Sequence, residues 1–198
     1  MKSAPSTTRT EINAVLSGIK ERITSTMWDG KLAWRRYGAL IEGNFVHWLL
    51  SAHLRSSCQP TKDILLANLR DEVVDDHPGL LRSLLCRNNL LPSESDQLHV
   101  SEFMAWIRTL CASGDQGELL TFLVILESTS HCFLPTMAIR AGLSTEDPYI
   151  KVHLEADQDH SAQLQTALQH EHDVGSVLPQ SIDQGIELAN SFFDILFN

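Results

Sequence analysis

His153-Leu154-Glu155-Ala156-Asp157-Gln158-Asp159-His160 carries a His, an Asp four residues on and a second His three residues further. A helix turns by about 100° per residue. Read as a helix, the stretch therefore places His153, Asp157 and His160 within roughly 40° of one line along its surface. Three ligand-bearing side chains on one helical face make a good half of a metal site. Imidazoles mixed with carboxylates suit iron or manganese better than structural zinc. The same three residues would also serve as a plain solvated face. Against that, Glu155, Asp159, Gln163 and Gln165 already supply another polar side to the helix.

Outward from this stretch the chain reads as helix after helix, with apolar residues at i, i+3, i+4 and i+7. Thr10–Met27 carries Ile12, Val15, Leu16, Ile19 and Ile23, and ends at Asp29-Gly30. Leu32–Leu54 follows as one helix, with Tyr37, Ile41, Phe45 and Trp48 along one side. Thr61 is a fitting N-cap for a helix to about Asp75. The residue before a proline is pushed out of helical geometry, so Asp76-His77-Pro78 is a break, and Pro78 starts a short helix to about Cys86. Further helices cover Gln97–Cys111, Gly117–Ile139 with Pro135 bending or ending it, Tyr149–His172, and Leu178–Phe197. Asp96 reads as an N-cap and not as half of an Asp96-x-x-His99 metal pair. The pattern predicts an all-α bundle of about seven helices with short connectors. Residues 1–198 are expected to form a single domain, with 1–9 flexible.

Composition removes several classes of function. A net charge of −10 without a basic stripe argues against nucleic-acid binding and against anionic membranes. No run approaches the roughly 20 apolar residues of a membrane span. The polar segment Met1–Thr10 lacks the apolar core of a signal peptide, so a cytoplasmic protein is expected. Cys58, Cys86, Cys111 and Cys132 form no CxxC pair and read as free thiols, mostly buried.

Other candidate ligands lie upstream. Glu127 ends the apolar run Phe122-Leu123-Val124-Ile125-Leu126 and is expected to be buried. A buried charge needs a partner, which is either a metal or a buried Arg or His. Glu72 and His77 would diverge by about 140° on one unbroken helix, and the proline break lets His77 swing back toward Glu72. Glu42 and His47 share a helix with Tyr37, Phe45 and Trp48. They face either the same cavity or solvent.

Taken together, Glu72…His77…Glu127…His153-x3-Asp157-x2-His160 resembles the haem-oxygenase-like di-iron oxidases and oxygenases, which share a fold with haem oxygenase, the thiaminase-like proteins and the pyrroloquinoline-quinone synthase group. Asn68-Leu69-Arg70-Asp71-Glu72 followed by His77-Pro78 looks like that family's N-L-x-D-E…H-P stretch. The resemblance implies a seven-helix haem-oxygenase-like bundle with a buried metal site. It implies that Glu72, His77, Glu127, His153, Asp157 and His160 divide between two irons per chain, with Glu127 bridging, and that occupancy as purified is not necessarily full. Fe(II) and O2 would give a peroxo species that attacks a small amino-acid-like metabolite by N-oxygenation, C–C cleavage or nitrile formation, with an external electron donor where the cycle needs one. Tyr37, Glu42, Phe45 and Trp48 are the candidate substrate contacts, and the aromatics Trp34, Tyr37, Phe45 and Trp48 would suit a flat or aromatic amino acid. The segment from Leu178 on has no Lys or Arg, which makes a long-chain fatty acid a poor fit. Relatives imply a homodimer. Two other readings stand beside this one: a thiaminase-like metal-free hydrolase, which would need a Cys facing a carboxylate, and a metal-free helical binding protein.

Overall fold

The computed structural model describes residues 5–25 and 27–198, and the side chains of all of these except 5–11 and 113. Ten α-helices and no strand occur among the described residues: α1 (Pro5–Ser25), α2 (Gly30–Ile41), α3 (Asn44–Arg55), α4 (Gln59–Val74), α5 (His77–Arg87), α6 (Glu94–His99), α7 (Ser101–Ser113), α8 (Gln116–Ala141), α9 (Pro148–Asp173) and α10 (Pro179–Phe197). The expectation of a flexible segment 1–9 falls outside the described residues for 1–4, and from Pro5 the chain is already helical.

Ten helices stand where about seven were expected: of the eight segments read as helical, two are interrupted, one at Glu42-Gly43 and one at Val100. The helix expected over Leu32–Leu54 breaks at Glu42-Gly43, where Gly43 takes the left-handed conformation with φ 73° that a glycine accepts without a steric penalty. The helix expected from Gln97 begins earlier, at Glu94. Ser93 is its N-cap and Asp96 closes a capping box at N3, so Asp96 is a capping residue but not the N-cap itself. Asp96 also accepts a hydrogen bond from Arg35 at 3.1 Å. Other helix starts are fixed in the same way. Asp29, Asp115 and Asp147 each accept bonds from the backbone N–H groups of the first turn that follows them.

The centre of the bundle is α8, which is buried on nearly every side from Gln116 to Ala141 and runs on through Pro135. By length and composition alone it could cross a membrane, contrary to the expectation that no such run exists, but most of its apolar window is buried against the other helices. Helices α9 and α10 pack along it. The α10 crossing is close: a Cβ on Gly185 would lie 2.5 Å from the Thr121 Cβ. Helices α1 and α2 cover the remaining faces of α8, and α4 and α5 lie over α9. Trp34, Phe122, Phe133, Tyr149, Phe192 and Phe193 are fully buried between these layers. Glu171, also fully buried, accepts the Ser57 and Cys58 N–H groups and the Ser176 hydroxyl, tying the end of α9 to the start of α4. All four cysteines are free, as expected, but none is buried.

Candidate metal centre

Helix α9 turns His153, Asp157 and His160 inward together, at 8%, 1% and 4% exposure. They share the face that their spacing predicts, so the solvated-face reading does not hold. Opposite them stand Glu127 from α8, Glu72 from α4 and His77 from the first turn of α5, all buried. Asp76, in the left-handed conformation with φ 51°, makes the corner between α4 and α5, and its carboxylate accepts the Gly79 N–H. That corner brings His77 back onto Glu72, with His77 Nδ1 2.8 Å from Glu72 Oε1.

Ligand atoms of Glu72, His77 and His153 lie within 4.8 Å of one another, and so do those of Glu72, Glu127 and His160. The residue common to both groups is Glu72, whereas the resemblance gave the shared position to Glu127. His153 Nδ1 donates to the Tyr149 carbonyl at 2.8 Å, which fixes the ring and leaves Nε2 free. His160 Nε2 lies 3.4 Å from Asp71 Oδ2, so Asp71, one residue before Glu72, is a further member of the cluster. The sequence shows Asp71 only as part of the Asn68-Leu69-Arg70-Asp71-Glu72 stretch, with nothing in the spacing to bring it to His160.

Ten buried side-chain nitrogen and oxygen atoms have no hydrogen-bond partner among the described residues, and four of them belong to this cluster: His77 Nε2, Glu127 Oε2 and both carboxylate oxygens of Asp157. Burying a polar atom without a partner costs about 1–3 kcal/mol, more for a charge. The Ser130 hydroxyl donates to the Glu127 carbonyl at 2.8 Å and lies beside Asp157, and a proton shared between Glu127 and Asp157 would partner one oxygen of each when no cation is bound. Burial, together with the charges of Asp157 and Glu72, raises the Glu127 carboxyl well above its usual range. Asp157 is raised to about 7, by burial first and by Glu72, with Ser130 opposing. The two carboxyls titrate together, and the direction is the same for both: without a cation they hold protons at a pH where exposed carboxylates do not. Burial lowers His153 to about 4, so its imidazole is neutral and able to ligate. For His77, burial works against protonation but the hydrogen bond and charge of Glu72 outweigh it, and its pKa is raised.

Glu72, His77, Glu127, His153 and Asp157, but not His160, line a cavity of about 30 Å³ with Tyr37, Ile41, Phe45, Pro78, Leu81, Leu126, Ser130, Phe133 and Tyr149. It has room for a few water-sized groups and for no organic substrate. No Lys or Arg lines it. The Tyr37 and Tyr149 hydroxyls are hydrogen-bonded to each other at 2.7 Å, and burial raises both phenols well above the usual value, so both stay neutral.

Of the candidate substrate contacts, the structure brings Tyr37 and Phe45 to the cavity and leaves the others elsewhere. Glu42 points to the outside and pairs with Arg82 at 2.5 Å. Trp48 lies in an aromatic cluster with Phe103 and Phe122. Trp34 packs edge-on behind Tyr37 and Tyr149, and His47 is exposed. Trp48 follows the helical stripe of Tyr37 but lies in α3, beyond the break at Gly43, while Glu42, five residues from Tyr37, is turned about 140° from that stripe.

A family model described as iron-containing redox enzyme matches residues 32–190, from the first turn of α2 into α10. The chain belongs to that family. The match is in keeping with the haem-oxygenase-like bundle and makes the protein an oxidoreductase associated with iron. No curated protein matches the chain.

Imidazole and carboxylate donors in a dry site are the set that iron accepts, and the unpartnered inward atoms are those a cation would satisfy. The residues present therefore fit the metal of the family.

Proposed function

We propose that this protein is a cytoplasmic non-haem di-iron oxidase or oxygenase. On this reading Glu72, His77, Glu127, His153, Asp157 and His160 hold two irons, and O2 is the co-substrate. The observation that carries the reading is the convergence of the buried carboxyls of Glu72, Glu127 and Asp157 on the imidazoles of His77, His153 and His160, with His77 Nε2 left unpartnered. When bound, the metal would supply reductive activation of O2, with electrons from the substrate or an external donor.

The chain's own groups do the rest. The Tyr149 carbonyl holds His153 in one tautomer and orientation. Asp157 and Glu127 give up their protons when a cation takes their oxygens. The apolar walls keep bulk water away from the reacting atoms. The substrate class we assign is a small amino-acid-like metabolite with an apolar or aromatic body, oxidised by N-oxygenation, C–C cleavage or nitrile formation. The assembly is a homodimer. A thiaminase-like hydrolase is not favoured, since no cysteine lines the cavity.

Anaerobic Fe(II) loading followed by metal analysis tests the centre. About two irons per chain, lost in His153→Ala and Asp157→Ala, is the expected result, and no iron in the wild type overturns it. Mass spectrometry of the loaded protein with O2 and a panel of amino acids then reads the reaction. Light scattering of a clean monomer would refute the dimer.

A further inference from the structure

A void of about 30 Å³ admits no metabolite, so one wall has to yield before a substrate can reach the centre. Leu126 and Phe133 belong to the buried core helix α8, and His153 and Asp157 to the ligand face of α9. Tyr37 is bonded to Tyr149. The corner between α2 and α3 is different. Ile41 is the last residue of α2 and Phe45 the second of α3, and both line the cavity. They keep 8% and 7% of their surface exposed, about as much as Leu126 and His153 and less than Pro78, whose turn carries the ligand His77. Between them Glu42 and Gly43 are not helical. No atom lies within 4 Å of where a Gly43 Cβ would stand, so nothing packs over the corner there. The corner is tied to α5, which carries the lining residues His77, Pro78 and Leu81, by the Arg82–Glu42 ion pair, whose arginine side chain is 66% exposed. An ion pair that open holds weakly.

We propose that the Ile41–Phe45 corner is the gate through which substrate reaches the cavity, that Arg82–Glu42 is its latch, and that Ile41 and Phe45 set the largest molecule admitted. The proposal rests on reading this cavity as an oxidase or oxygenase site. Swinging the corner outward pivots about the two non-helical residues and moves the ends of α2 and α3, neither of which carries a ligand, although α3 rests on α4, the helix of Glu72. The lining it would open is apolar, made by Ile41, Phe45 and Leu81, so the molecule admitted presents a flat or aliphatic body to the corner and its polar head to the ligand cluster.

The test measures binding rates of imidazole and of 4-phenylimidazole to the Co(II)-loaded protein through its visible absorption. Amide hydrogen exchange of residues 42–45 is followed in the metal-free protein. In the wild type the larger probe should bind far more slowly. Phe45→Ala should speed 4-phenylimidazole by about tenfold or more and imidazole much less, because removing a buried ring opens space only a larger probe needs. Phe45→Leu should fall between the two and remains informative if Phe45→Ala fails to fold. Arg82→Ala should speed both probes and raise exchange of 42–45 by about two- to fivefold, the loss of one exposed pair. An unchanged size dependence in both Phe45→Leu and Ile41→Ala overturns the gate, and unchanged exchange in Arg82→Ala overturns the latch. Failure of Co(II) to bind would count against the metal reading alone, since the exchange comparison needs no metal.

Discussion

Replacing Asp157 by Asn removes a carboxyl group that the fold holds against its own preference. In the metal-free protein this carboxyl is raised from its ordinary 3.8 to about 7, mainly by burial. Each unit is worth about 1.4 kcal/mol, so the shift of roughly three units amounts to about 4 kcal/mol, and sharing a proton with Glu127 makes about 2–4 kcal/mol the reasonable range. The sign follows from proton binding. The folded carboxyl holds its proton more tightly than the unfolded one. Relative to an unshifted carboxyl, stability is therefore fully present below about pH 4, is lost as pH rises through 7, and stays lost above that. His153 contributes the opposite slope, because its pKa is lowered from 6.5 to about 4 and its share of stability is lost as pH falls through that window. That contribution is common to wild type and variant and cancels in their difference. Urea unfolding of chelator-treated protein at pH 4.5, 6 and 8 is the assay. With a slope of about 2 kcal/mol/M, the Asp157→Asn midpoint should exceed wild type by about 1–2 M at pH 8 and by little at pH 4.5. The same variant should fail to bind iron. A variant less stable than wild type at pH 8, or a gain independent of pH, would refute the claim that an uncompensated buried carboxyl sits there.

Other outcomes follow from the same geometry. His160→Ala should lower iron stoichiometry more than Asp71→Asn, which removes only the group near the ring nitrogen and should weaken iron affinity by about 10–100-fold in a metal titration. Glu171→Ala strips three donors of their shared buried acceptor and should cost about 3 kcal/mol in urea unfolding without changing iron content. Asp71, Glu72, Asp75 and Asp76 crowd the end of α4, where the helix dipole already disfavours anions, so Fe(II) should raise hydrogen-exchange protection over residues 68–80 more than over 150–162. Equal protection of 68–80 with and without metal would remove that coupling.

The sequence alone determined whatever depends on local spacing. A helix sets the azimuth of every side chain it carries, so the common face of His153, Asp157 and His160 was legible from their numbers, as was the burial of Glu127 within its apolar run. Asp29, the break at His77-Pro78 and the apolar stripes marked elements for the same reason: caps, proline and periodicity act within one or two turns. Azimuth does not say which helix stands opposite, and there the tertiary structure decided. That Glu72, and not Glu127, lies within reach of both ligand groups depends on how α4 rests over α9. Asp71 joined the cluster for the same reason, since only packing brings it to His160. The break at Glu42-Gly43 separates two helices that share one apolar stripe. Beyond it Trp48 packs behind Phe45 against Phe103 and Phe122, because the direction of a chain after a left-handed glycine is chosen by the surfaces that bury it and not by the residues that precede it.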